Sequence, residues 1–273
     1  MAKIIMLGTG NGITVDLYNT CFVIQNTDGN FLVDTGGSIE LLKRLEQVDI
    51  DYKTIKNIFI SHSHTDHVLG LLWYFKKISR LIMKNEITET INIFCNDTVY
   101  ETITEISKYI MPSKLMKAIY SKVNFIVVND KDKHVINGVE YEFFDIHARS
   151  TKQYGFECII DDKKLVFLGD EPLKSDLYVR VMNADLVMHE AFCLDSEDYI
   201  FHAYEINHST VKSTCEVMKK LGVKNLILYH TEESHGNDRK RLYEEEGKQY
   251  FNGTVLVPDD LEEFEIKTLK KEL

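Results

Sequence analysis

The sequence predicts an α/β fold, and three observations carry that prediction. Apolar strand-like runs alternate with helix-like stretches. Histidines and aspartates collect just beyond the C-terminal ends of the runs. The 273 residues, 44% of them hydrophobic, suffice for a large buried core.

Residues 55–60 form an apolar strand-like run, followed at once by Ser61-His62-Ser63-His64-Thr65-Asp66-His67 and then by a helix-like stretch from Val68. The polar run therefore lies in a strand-to-helix loop, where α/β folds hold their sites. His62 and His64 stand two apart in extended chain, so both imidazoles can reach one metal. Asp66 and His67 follow the turn and can face a second. Imidazole and carboxylate suit zinc, with manganese or iron as alternatives. One histidine here would read as a satisfied loop residue. Four ligand-type side chains within six residues are hard to explain by packing.

The next elements follow in order. Residues 71–82 read as helical, and residues 91–95 as a short strand. Asn96 or Asp97 caps a helix from Thr98 to Ile110, Pro112 breaks it, and Ser113 begins another to about Ser121. This stretch is rich in large apolar residues, which read as core packing, with a dimer interface or pocket wall as the alternative. Residues 140–146 form a strand ending at His147. Residues 155–160 and 163–168 form a hairpin about Asp161-Asp162, and Asp170 follows. Residues 186–188 are an apolar run before His189 and Glu190. Ser209 or Thr210 caps a helix from Val211 to Leu221, and residues 225–229 are a strand ending at His230. Singly, His147, Asp170 and His230 read as ordinary strand-end polar residues. With the tetrad they make a set of seven that can converge on one sheet edge.

These residues resemble the metallo-β-lactamase superfamily of binuclear metal hydrolases, whose His-x-His-x-Asp-His signature falls at residues 62–67. Within it, the ribonuclease Z-like branch is most similar. Residues 5–10, 20–24 and 30–37 look like its opening strands and turns, residues 189–191 its His-Glu-Ala motif, and residues 207–210 its Gly-His-Ser-Thr motif with Asn207 for Gly. The resemblance spans roughly residues 3–266. It implies one domain over residues 1–273, a pseudo-duplicated four-layer αββα sandwich, and a homodimer. It implies that His62, His64 and His147 hold one metal, that Asp66, His67 and His230 hold the other, and that Asp170 bridges them. His208 would be the proton donor, oriented by Glu190, with Asp66 both ligand and relay, and a metal-bridging hydroxide would attack. Tyr154 would line the pocket.

One departure stands out. Bacterial transfer-RNA-processing members carry a long arm between the positions of His147 and Asp170, and the short hairpin here leaves no room for it. The expected activity is therefore a phosphodiesterase acting on nucleotides, RNA ends or related phosphodiesters. A carboxylic ester, lactone or thioester hydrolase is the alternative. The diiron redox members typically have Glu where this chain has His64, and they carry a flavin domain. A metal-stabilised binding protein would not need the proton-donor motif.

The net charge of −11 points to a small or locally bound substrate over a long nucleic acid backbone. Basic clusters at residues 76–80, 163–164 and 239–241 read as solvated faces, with phosphate recognition an alternative for Arg239-Lys240-Arg241. Five scattered cysteines, no signal peptide and no hydrophobic 20-mer predict reduced thiols, no membrane and a cytoplasmic protein. His189 reads either as a residue backing the ligands or as a satisfied core histidine. His134, His202 and His235 read as surface residues.

Overall fold

A computed structural model of the chain describes residues 1–269. Successive strand residues serve two different cores, which is why the strands read as nearly unbroken apolar runs. In β1 (Lys3–Gly8), Ile5 and Leu7 face one core while Ile4 and Met6 face another. In β4 (Asn57–Ile60), Ile58 and Ile60 face the first and Phe59 the second.

The remaining strands are β2 (Cys21–Asn26), β3 (Gly29–Val33), β5 (Ile91–Cys95), β6 (Val123–Val127), β7 (Lys133–Ile136), β8 (Val139–Asp145), β9 (Tyr154–Ile160), β10 (Lys163–Phe167), β11 (Leu186–Glu190), β12 (Asn225–Tyr229), β13 (Thr254–Leu256) and β14 (Glu263–Glu265). Among the described residues they form two seven-stranded sheets, ordered β14-β1-β2-β3-β4-β5-β6 and β13-β12-β11-β10-β9-β8-β7. Each sheet runs through three antiparallel pairs and then three parallel ones. The change falls at β3 in the first sheet and at β10 in the second. The two sheets pack face to face through aromatic contacts, among them Phe59 on Phe143 at 4.9 Å and Phe22 on Phe167 at 5.2 Å between ring centroids.

The helices are α1 (Glu40–Gln47), α2 (Thr65–Met83), α3 (Asp97–Ile110), α4 (Ser113–Tyr120), α5 (Tyr178–Val181), α6 (Asp198–Phe201), α7 (Val211–Lys220) and α8 (Arg239–Tyr250). The first four cover the outer face of the first sheet, and α7 and α8 cover that of the second. The result is the four-layer αββα metallo-β-lactamase sandwich.

The expected caps and turns are present. The Asn96 side chain accepts from Val99 N–H to start α3, and Thr210 starts α7 in a reciprocal bond pair with Ser213. Asp161 and Asp162 both adopt positive φ (50° and 61°) in the tight turn of the β9–β10 hairpin. The helix-like stretch read from Val68 begins at Thr65, so Asp66 and His67 lie in its first turn. Of the apolar residues in the helical layer, Leu71, Tyr74, Phe75 and Met116 are core, whereas Tyr109 and Ile110 face solvent.

The helix α2 is pinned against the turn after β3. Gly70 N–H donates to Gly36 O at 2.8 Å, and Thr35 N–H donates to His67 O at 2.9 Å. A Cβ on Gly70 would lie 1.9 Å from Thr35 O, so only glycine permits this approach. Gly70→Ala raises helix propensity yet is expected to destabilise the fold by about 1–3 kcal/mol through overpacking. Thermal or urea unfolding of the variant measures this, and an unchanged or higher midpoint contradicts it.

Candidate metal centre

The site lies where the parallel strands of both sheets end. Asp34 follows β3, His62 and His64 follow β4, Asp170 follows β10, Glu190 ends β11, and His230 follows β12. Two of these residues bend the chain sharply: Asp34 and His230 have φ of +56° and +57°, values uncommon outside glycine. Asp170 follows Gly169, whose φ is +69° and whose carbonyl accepts the buried Tyr229 hydroxyl.

Six of the seven residues expected as ligands come together. Asp66, His67, Asp170 and His230 form one buried group whose ligand atoms all lie within 4.8 Å of one another. His62, His64 and Asp170 form a second on the same criterion, so Asp170 belongs to both. His67 Nε2 lies 3.2 Å from Asp66 Oδ2 and 3.4 Å from Asp170 Oδ2. His62 Nε2 lies 3.3 Å from Asp170 Oδ2, and His230 Nε2 3.3 Å from Asp66 Oδ2. Hydrogen-bond partners are lacking for the buried His62 Nε2, His67 Nε2, His230 Nδ1 and Asp170 Oδ1 among the described residues. Buried polar atoms left bare are costly, and a shared divalent cation is the partner that imidazole and carboxylate donors suit. The residues fit metal ions.

A carboxylate that the sequence reading left without a role fixes two of the imidazoles. Asp34, 1% exposed, accepts from His67 Nδ1 at 2.8 Å and from the Ser61 backbone N–H and hydroxyl, both at 2.8 Å. The Ser61 hydroxyl lies 3.0 Å from His62 Nδ1. With Nδ1 of each ring engaged this way, Nε2 of each ring is the atom that faces Asp170 and would be available to a cation. The signal was the aspartate closing the apolar run of residues 30–33, but nothing in the sequence placed it behind residue 67.

The electrostatics follow from burial. Burial opposes ionisation of Asp66, but His67 and His230 outweigh it and hold the carboxyl well below the usual range. Asp170 is likewise held low, against burial, by His62 and His67. Burial also disfavours a charged His67, yet Asp66 and Asp34 drive it well above the ordinary value. His64 is lowered, by burial and then by His62.

His208 lies beside these groups, its ring 5.1 Å from that of His230 and stacked 5.0 Å from Phe192. Its Nδ1 is 3.7 Å from Glu190 Oε2, and neither atom has a hydrogen-bond partner among the described residues. The other carboxylate oxygen of Glu190 accepts Ser209 N–H at 2.6 Å. Burial opposes the charged imidazole, but Glu190 and then Asp170 overcome it and raise its pKa. Of these groups, His64, Asp66, Asp170, His208 and His230 face one cavity of about 230 Å³, lined also by Asn11, Gly12, Ile13, Ser150, Glu171 and Phe192. A Cβ on Gly12 would sit 3.2 Å from the Asp66 carboxylate, so the loop after β1 closes tightly over the site.

Four expectations need correction. His147 is not with the cluster. It is half-exposed, and its Nδ1 lies 2.7 Å from Asp176 Oδ2. Tyr154 does not line the cavity, being buried in the core between the sheets. His189 is a satisfied core histidine: Nδ1 donates to Glu190 O at 2.7 Å, and Nε2 accepts Leu173 N–H at 3.2 Å. Arg239 is 1% exposed and braces the segment after His230, through Thr231 Oγ1 and Pro258 O, while Lys240 and Arg241 pair with Glu262, Asp238 and Glu245. Of the three histidines read as surface residues, His202 is exposed, His235 pairs with Glu197, and His134 packs on Phe94.

The chain belongs to the family described as anti-Pycsar protein Apyc1, whose model matches residues 2–252. It is similar to ribonuclease Z of Archaeoglobus fulgidus, with 25% identity over 94% of this chain and 95% of that protein. In fold it is similar to the metallo-β-lactamase fold protein YhfI of Bacillus subtilis. That match has a TM-score of 0.79 and 16% identity, and covers 96% of this chain and 98% of the other. It is also similar to the short form of human tRNase Z, with a TM-score of 0.71 and 19% identity, covering 97% and 99% respectively.

Asp34→Asn keeps the shape but removes the charge behind His67. It is expected to weaken metal affinity about 10–100-fold, the usual effect of losing a ligand's carboxylate support. Competition with a chromophoric chelator measures this, and an unchanged affinity would remove Asp34 from the centre.

Proposed function

We propose that the chain is a metal-dependent phosphodiesterase of ribonuclease Z-like type. Its substrate is a small or locally bound phosphodiester, such as a nucleotide or an RNA end. The observation that carries this reading is the shared cavity: two metal-fitting groups joined at Asp170 open onto the same space as His208, which Glu190 backs from within the fold. The relative of similar length is a ribonuclease, an enzyme of phosphodiester bonds. The donor set suits two zinc ions, with manganese or iron as the alternatives.

Bound divalent ions would supply Lewis acidity and water activation near neutral pH. The chain does the rest. His62 and His64 hold one position, Asp66, His67 and His230 the other, and Asp170 contributes to both. His208 carries the proton that the leaving oxygen needs, and Glu190 orients the ring and favours its charged form. Asp66 is assigned as ligand and relay. The 3.7 Å gap between His208 and Glu190 is of the kind that closes when substrate binds. The cavity walls contain no lysine or arginine among the described residues, which suits one phosphodiester held locally over a tracked backbone.

The reading extends to organisation. The core shared by both sheets supports a single domain. Exposed Tyr109 and Ile110 at the end of α3 offer apolar surface for a homodimer. Five buried free cysteines suit a reducing, cytoplasmic setting. No helix among the described residues is long and apolar enough to cross a membrane.

Two experiments test the chemistry. Bis-p-nitrophenyl phosphate and a lactone panel separate the phosphodiesterase from the ester hydrolase, and turnover of lactones alone would defeat the proposal. His208→Ala is expected to lose about 10²–10⁴-fold in kcat with metal content unchanged, and unaltered turnover removes His208 as proton donor. The pH profile carries a sign. A raised His208 pKa keeps its proton above the ordinary 6.5 and loses it as pH rises through the folded value. Activity therefore falls on the alkaline side, and Glu190→Gln, which removes the raising charge, moves that limb to lower pH.

A further inference from the structure

The two metal-fitting groups are not equally built. Around Asp66 stand four buried donor residues, Asp66, His67, Asp170 and His230. Around His62 stand three, His62, His64 and Asp170, and the third of these is shared. His147 is absent from both, and several bonds hold it away. Its imidazole lies 2.7 Å from Asp176, and its own N–H donates to Asp145 Oδ1 at 2.7 Å. The following loop is tied down by Glu171, which is 3% exposed. That carboxylate accepts the backbone N–H groups of Arg149 and Ser150 at 2.8–3.0 Å and the Ser150 hydroxyl at 2.7 Å. As a result Ser150 and Glu171, not an imidazole, stand beside His64 and Asp170 on the cavity wall.

We infer that the two metal positions are unequal by construction: the position at His62 and His64 is held by three protein ligands without His147, while the position at Asp66 has four, and donors of both reach the cavity wall. This inference rests on the metal-dependent reading above. It adds that one ion is resident and the other exchangeable. Fewer protein donors mean weaker binding, and an open coordination position is what distinguishes a catalytic from a structural site. Occupancy of the weaker position therefore governs activity, and turnover appears only with the second equivalent of metal.

Zinc titration of the metal-stripped full chain against a competing chelator, with elemental analysis after dialysis, tests this. Two equivalents are expected to bind with affinities at least about tenfold apart, given the difference in donor number. His64→Ala should lose the weaker equivalent and retain the tighter one. His147→Ala, at a half-exposed position, should keep both affinities within about twofold, because it removes no ligand. Asp176→Ala, which frees the His147 ring, should do the same. Loss of the weaker equivalent in His147→Ala, tighter zinc binding in Asp176→Ala, or two equal equivalents in the unaltered chain overturns the inference and leaves the phosphodiesterase reading standing. Failure of the unaltered chain to bind any divalent ion overturns both.

Discussion

Everything in this molecule is arranged around buried negative charge that must be neutralised. Asp34, Asp66 and Asp170 are 1%, 7% and 3% exposed, and they converge from three separate strand ends. Buried carboxylates are tolerated only when paired and hydrogen-bonded. Without a metal, His67 meets that demand by holding its proton far above the ordinary value. A divalent cation meets it better, with more charge at the point where Asp66 and Asp170 meet. A proton on His67 and a bound cation would thus serve the same electrostatic role.

The fold supplies these strand ends twice. In each sheet three antiparallel pairs give way to three parallel ones, and the chain places its charged residues beyond the parallel strands. Asp34 after β3 answers to Asp170 after β10, and the loop after β4 to the end of β11 at Glu190. Parallel strands need helical crossovers, so their C-terminal ends open onto loops at one edge. Because the aromatic layer of Phe22, Phe31, Phe59, Phe143, Phe156 and Phe167 locks the sheets together, ligands from either half meet with little freedom. The distance of 3.3 Å between His62 and Asp170, one from each sheet, is a product of that packing.

What was legible in the sequence was local. The density of residues 62–67, the hairpin turn at Asp161-Asp162, and the caps at Asn96 and Thr210 each depend on neighbours within a few positions, and each is found as read. What was not legible depends on partners far along the chain. Asp34 backs His67 across 33 positions. Arg239 looked like part of a basic surface run, but the segment after His230 and the Pro258 carbonyl bury it. His189 and Glu190 are adjacent in one strand, and strand alternation sends one to Leu173 and the other to His208. His147 follows a strand as His230 does, yet the buried carboxylate of Glu171 decides how its loop runs.

The charge balance of the surface bears on the size of the substrate. Most residues of the basic clusters at 76–80, 163–164 and 239–241 have another occupation. Lys163 and Lys164 meet Asp185 and Glu157, Lys76 and Lys77 lie over Trp73 and Tyr52, and Arg239, Lys240 and Arg241 are held by acids at the start of α8. A chain with net charge −11 and no lysine or arginine on the cavity wall gains little from a polyanionic backbone. On the proposed reading, attraction for phosphate would come from metal ions held by the His and Asp groups, acting over one or two ionic contacts. The short β9–β10 hairpin is consistent with this, because it gives the site no arm with which to reach a distant part of a folded RNA. On the proposed reading, a site with an apolar rim of Ile13, Phe192 and Ile206 and no basic side chain on its wall among the described residues would recognise the phosphodiester and its immediate flank, a constraint on substrate size that is separate from the reaction.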